Sequence, residues 1–235
     1  MLILNLQLVT SDLAAQREFY TRVFDCPLLS DTSDKIEFQV GASRLTFLRC
    51  VLPVTGPYHF AFNIPENQFV EATQWLRQHV ALISDETGRE LFYSDGWNAH
   101  MVYFYDPAGN IVELIARHTL PSTSQQPFRG QSLLGISEIG IAAQNVPEQA
   151  AAIAARGNTS VYRGAGSDTF SAVGDEHGLF IVVKPGRIWF PTTDKAAQPL
   201  PITVITHSDT EHMTWRFPQP EVMLMCLTPD SWQTQ

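Results

Sequence analysis

The sequence predicts an α+β chain of two βαβββ-type modules. Period-two runs of apolar residues outnumber stretches of helical spacing, and the order of strand, helix and strands begins again after roughly 130 residues. Between the two rounds lies the one compositional break, the polar, proline-flanked stretch 121–127. The organisation read from this is a first module over 1–119, a linker over 120–131 and a second module over 132–235.

The first strand is residues 2–9, with Leu2, Leu4, Leu6 and Leu8 on one face. Ser11-Asp12 offers a helix N-cap, and Leu13, Arg17, Tyr20 and Phe24 follow at helical spacing before Cys26-Pro27 ends the segment. Short alternating runs at 27–32, 35–41 and 44–50 read as a meander, and 53–57 as a loop. Residues 58–64 form a strand with Phe60, Phe62 and Ile64 on one side and His59, Ala61 and Asn63 on the other. A second helix over 66–79 turns Phe69, Ala72, Trp75 and Leu76 inward. The polar stretch 84–99 reads as loop, followed by strands 100–105 and 111–116 around the turn Asp106-Pro107-Ala108-Gly109-Asn110.

Past the linker, 135–142 is a strand and 146–156 an alanine-rich helix. Strands follow at 159–163, 169–174 and 179–184, with weaker candidates at 201–206, 212–217 and 221–227. His79 and His118 fall at element ends, His177 in a turn, and His207 and His212 in a loop, all expected to face solvent.

Composition bounds the function. The 235 residues carry 44% hydrophobic and 17% charged side chains, enough to bury one large core or two that share strands. Fifteen basic against twenty-four acidic residues give a net charge of -9, which leaves no basic face for a phosphate backbone. No nucleic-acid partner is expected. No basic leader and no apolar run of bilayer length is present, so no membrane partner is expected and the expected location is cytoplasmic. Cys26, Cys50 and Cys226 are widely spaced and form no CxxC, which reads as buried reduced thiols.

Three segments together carry a resemblance. They are Asn5-Leu6-Gln7-Leu8-Val9-Thr10-Ser11-Asp12-Leu13 followed by Phe19-Tyr20, the strand beginning at His59, and Val102-Tyr103-Phe104-Tyr105-Asp106-Pro107-Ala108-Gly109-Asn110-Ile111-Val112-Glu113-Leu114. The chain resembles the vicinal-oxygen-chelate superfamily of glyoxalases, bleomycin-resistance proteins and extradiol dioxygenases, well over 1–117 and more loosely over 133–185. The resemblance implies cupped mixed sheets whose inner face holds a divalent metal, with ligands from the first, fifth and eighth strands of a module.

His59 and Glu113 match the fifth- and eighth-strand ligand positions, and Asn5 stands at the first, where histidine is usual. A neutral imidazole and a carboxylate suit Fe2+, Mn2+, Ni2+ or Zn2+, whereas an amide oxygen is a weaker ligand. Tyr103 falls where ring-cleaving relatives keep a catalytic tyrosine that hydrogen-bonds the bound substrate; plain packing is its other reading. Residues 43–46 lack the acid-base histidine of those relatives. Glu138 takes the first-strand position of the second module, whose later strands offer no matching His and Glu pair, so that half reads as a scaffold closing the cavity. Arg187-Ile188-Trp189-Phe190-Pro191 reads equally as an aromatic wall of the pocket or as core.

Two functions fit this pattern. One is a metal-dependent small-molecule enzyme of dioxygenase, lyase or isomerase type. The other is a metal-free protein that sequesters a drug or aromatic ligand, with Asn5, His59 and Glu113 as hydrogen-bonding groups. The resemblance is compatible with a homodimer.

Overall fold

Residues 1–51, 54–208 and 211–217 are described in a computed structural model of the chain. The strand read at 221–227, Cys226 and Pro53 of the predicted loop lie outside the described residues.

Three rounds of strand, helix and three strands follow one another. The first is β1 (Leu2–Thr10), α1 (Leu13–Arg22), β2 (Leu28–Asp31), β3 (Lys35–Val40) and β4 (Ser43–Arg49). The second is β5 (His59–Asn63), α2 (Phe69–Leu76), β6 (Leu91–Ser94), β7 (Ala99–Tyr105) and β8 (Ile111–Arg117). The third is β9 (Gly135–Ala142), α3 (Val146–Arg156), β10 (Val161–Gly166), β11 (Phe170–Asp175) and β12 (Gly178–Val183). An antiparallel pair, β13 (Ile202–Ser208) and β14 (Glu211–Phe217), completes the described strands.

Local signals set the helix starts. The Asp12 carboxylate accepts the Ala15 N–H at 2.9 Å to cap α1, and the Asn145 side chain accepts the Glu148 N–H at 3.2 Å to cap α3. α2 is shorter than the 66–79 read from its apolar spacing. A turn from the Pro65 carbonyl to the Gln68 N–H occupies its expected first turn, and Gln78 and His79 tighten into i−3 bonds at its end. β6 lies inside the stretch read as loop; its four residues pair with β7, but the polar run before it and Ser94-Asp95-Gly96 after it hide so short an alternation. His207 and His212, read as loop residues, face each other across the β13–β14 ladder.

In each round the first and last strands pair in parallel: β1 with β4, β5 with β8, and β9 with β12. The rounds then join in a way that strand order along the chain does not suggest. β5 zips antiparallel onto β9, which gives the run β6-β7-β8-β5-β9-β12-β11-β10. β1 zips antiparallel onto β13, which gives β2-β3-β4-β1-β13-β14. The single pair Ile3↔Ile136 links the two runs.

Alternation along the strands divides the interior in two. Tyr20, Phe24, Phe38, Phe47, Phe62 and Phe104 belong to a fully buried layer that α1 and α2 help to cover. Ala61, Tyr103, Ile115, Ile181, Val183 and Trp189 belong to a smaller cluster on the concave side of the β5–β9 run. Cys26 and Cys50 are buried and free, as the sequence suggested.

Candidate functional site

The Asp106-Pro107-Ala108-Gly109-Asn110 turn fixes the register on which the site depends. One Asp106 oxygen accepts the N–H groups of Ala108 and Asn110 at 2.9 and 3.0 Å, and the other accepts the Asn110 and Gln16 amides at 2.8 and 3.0 Å. Gly109 closes the turn at φ +76°, where a side chain is strained. The Asn110 side-chain oxygen Oδ1 accepts the Tyr58 N–H at 3.0 Å, which pins the start of β5 against the start of β8.

That register lines up a row of residues across the concave face. Tyr103 on β7 pairs with Glu113 on β8, Glu113 with Ala61 on β5, and Ala61 with Glu138 on β9. His59 lies two residues from Ala61 and so on the same face. The small Ala61 side chain leaves room for Glu113 and Glu138 to lean towards each other from the flanking strands. One ligand-type atom each from His59, Glu113 and Glu138 lies within 4.8 Å of the others, and all three residues are buried.

The structure therefore brings His59 and Glu113 together and adds Glu138, which the sequence placed in a mere scaffold. Asn5 stands apart from them. Its side-chain oxygen accepts the Thr46 hydroxyl at 3.1 Å in the other run of strands, where Asn5 pairs with Ile205 as Glu138 pairs with Ala61. Two residues before Ile205 stands Thr203, at the position His59 holds on β5. The described part of that second face thus has an amide and a hydroxyl where the first has a carboxylate and an imidazole.

Each ligand-type group has a defined form. His59 Nδ1 lies 3.3 Å from the Ile111 carbonyl oxygen, so this nitrogen carries the proton and Nε2 presents its lone pair to the cavity. Burial lowers the His59 pKa to about 4, which keeps the imidazole neutral near pH 7. Its Nε2 is 3.7 Å from Glu113 Oε2, too far for a hydrogen bond. Burial, then the neighbouring Glu138 charge, raises the Glu113 pKa well above the ordinary carboxylate range, and Arg117 opposes the rise. Glu113 Oε1 is buried with no hydrogen-bond partner in the structure. Tyr103 keeps its proton because burial, followed by the charge of Glu113, pushes its pKa up.

Arg117 was not singled out from the sequence. It is fully buried, and its guanidinium donates to Ser137 Oγ at 3.2 Å and to a Glu138 oxygen. The β5–β9 register skips Ser137 between the pairs Ala61↔Glu138 and Phe62↔Ile136, and this bulge lets adjacent residues 137 and 138 both reach one side chain. Trp189 covers the site. Its ring lies 5.0 Å from that of His59, and it fits only because Gly140 has no Cβ, which would meet the indole at 2.5 Å. The chamber left beneath measures about 110 Å³ and is lined by His59, Glu113, Glu138, Tyr103, Trp97 and Trp189 among others.

The family model of the Glyoxalase/Bleomycin resistance protein/Dioxygenase superfamily matches residues 2–114. Those residues, just under half of the chain, are similar to that superfamily. The architecture continues past them: a candidate dioxygenase of Bacillus subtilis, 13% identical, aligns with 84% of this chain and 66% of its own, at a TM-score of 0.56. A lactoylglutathione lyase of Agrobacterium tumefaciens aligns with 48% of this chain and 91% of its own at 22% identity and a TM-score of 0.40. The fosfomycin-resistance protein FosX of Listeria monocytogenes, an E126Q variant complexed with Mn(II) and dihydroxypropylphosphonic acid, aligns with 50% and 90% at 18% identity and a TM-score of 0.38. No curated protein matches the sequence. Among the described residues no helix is long and apolar enough to cross a membrane.

Proposed function

We propose that this chain is a metal-dependent enzyme acting on a small molecule, with His59, Glu113 and Glu138 as ligands of one divalent ion. The observation that carries this reading is charge. Two buried carboxylates face each other beside a neutral imidazole, and of the buried groups only Arg117 offsets them. Ionised, the set is one positive charge short, and Glu113 Oε1 has nothing to bind. A cation supplies both needs. The donor set, one imidazole nitrogen and two carboxylate oxygens, suits Fe2+, Mn2+, Ni2+ or Zn2+, and the 3.7 Å gap is near the spacing of two donors each about 2.0–2.2 Å from one such ion.

When bound, the ion supplies Lewis-acid chemistry to neighbouring oxygens of a substrate, the basis of lyase, isomerase and dioxygenase reactions alike. The protein groups do the remainder. Arg117, itself anchored on Ser137, holds Glu138 in place, the Ile111 carbonyl fixes the His59 tautomer, and Trp189 packs over the His59 ring. The Tyr103 hydroxyl stays protonated and stands beside Glu113, placed to donate to a substrate oxygen. In the metal-free alternative a sequestered ligand donates to Glu113 Oε1, but the charge of the two carboxylates stays unmatched.

Elemental analysis of protein purified without chelators tests the reading. About one divalent ion per chain is expected in the wild type and none in His59→Ala or Glu113→Ala. A wild type that carries no ion and takes up none of the four metals contradicts it.

A further inference from the structure

A second cavity opens against the first. It measures about 550 Å³ and is walled by Phe92, Trp97, Met101, Tyr103 and Phe190, with Arg89 at the rim. Trp97, Tyr103 and Phe190 line both spaces, so the two are separated by side chains alone. The ring of Phe190 lies 4.7 Å from Phe92 and 5.6 Å from Tyr103, edge-on to both, yet the residue is 52% exposed. Its neighbour Ile188 is 41% exposed, and both belong to the segment that carries Trp189 over the site. The rim cation is already engaged: Arg89 pairs with Asp85 at 2.8 Å, its guanidinium 5.9 Å from the Phe92 ring.

The sizes separate two tasks. At about 30 Å³ per water, the inner chamber holds three or four waters or an equally small oxygen-bearing group. The outer cleft has about five times that space; Phe92, Trp97, Met101, Tyr103 and Phe190 form an apolar wall that favours a flat ring, while Arg89, Tyr93 and Ser94 line the rest with polar groups.

We propose that the outer cleft is the tail subsite of the same centre. It takes the planar aromatic or apolar part of an elongated substrate whose oxygen-bearing head lies at His59, Glu113 and Glu138, and Phe190 is the partition that sets which tails are accepted. The proposal rests on the metal-site reading above.

Two hydroxamic acids test it, because each presents the same pair of neighbouring oxygens. Acetohydroxamate carries the head alone, and 2-naphthohydroxamate adds a flat tail. Their affinities for the Mn(II)-loaded protein are measured by calorimetry, with the ion-free protein as control. A tail that buries on the order of 100 Å² of apolar surface corresponds to about a sixtyfold advantage for the naphthyl probe. Phe92→Ala, which removes a wall of the outer cleft but not of the inner chamber, is expected to cut that advantage to under about fivefold while acetohydroxamate still binds only with the ion present, which also reports correct folding. Phe190→Ala, at an exposed position, is expected to admit bulkier tails such as 4-biphenylhydroxamate. Metal-dependent binding of acetohydroxamate with no naphthyl advantage, or an advantage that survives Phe92→Ala, overturns the tail subsite and leaves the metal site standing. No metal-dependent binding of either probe overturns both.

Discussion

Replacing Arg117 with methionine removes the one buried cation from a site with two buried carboxylates. Arg117 is 0% and Glu138 1% exposed, so solvent cannot take over when the guanidinium is lost. Removing one partner of such a pair costs about 3–5 kcal/mol, because the remaining charge has been taken out of water and left unpaired. For a chain of this size each kcal/mol moves the melting temperature by about 2–4 °C, so Arg117→Met is expected to melt about 6–20 °C below the wild type in the ion-free state. The double variant Arg117→Met/Glu138→Gln is expected to recover at least half of the loss, since a neutral amide replaces the stranded charge. Scanning calorimetry of wild type, both single variants and the double variant, at fixed pH and with chelator present, measures this. A loss under about 1 kcal/mol in Arg117→Met, or a double variant no more stable than the single, refutes the charge argument.

Two other outcomes follow from the same geometry. Gly140→Ala places a Cβ 2.5 Å from the Trp189 ring, so the indole must shift; a cost of about 1–3 kcal/mol and red-shifted tryptophan emission are expected, and unchanged emission contradicts the packing over the site. Ion binding is expected to weaken as pH falls from about 8 to about 5.5, because burial and the Glu138 charge raise the Glu113 pKa and so make protons compete with the ion for that carboxylate. His59 contributes no proton over that range, since its pKa lies at about 4. Affinity that does not change across it, measured by calorimetry in two buffers of different ionisation heat, contradicts the raised carboxylate.

Much of the first 117 residues was legible because each signal there is local. The leucine alternation of β1, the Asp12 cap and the Asp106–Asn110 turn act within a few residues of themselves, and that turn sets His59 opposite Ile111 and hence near Glu113. Glu138 was visible as the first-strand position of the second module, but its role was not. Nothing in 135–142 states that this strand pairs with β5 instead of closing on its own half, and the same long-range choice sends Asn5 to Thr46 and β13. Arg117 follows Glu113 by four residues on an apolar strand, where a single basic residue reads as a strand end; only the Ser137 bulge across the β5–β9 seam shows why it is buried. The Trp189 segment left wall and core equally open, and the gap over Gly140 resolves it as a cover for His59.

The account stands or falls on which first strand completes the site. Mn(II) titration of the ion-free protein, followed by calorimetry in wild type, Glu138→Ala and Asn5→Ala, reads this directly. One ion per chain in wild type and Asn5→Ala, with affinity at least about a hundredfold weaker in Glu138→Ala, is the predicted result. Full binding in Glu138→Ala together with loss in Asn5→Ala contradicts it.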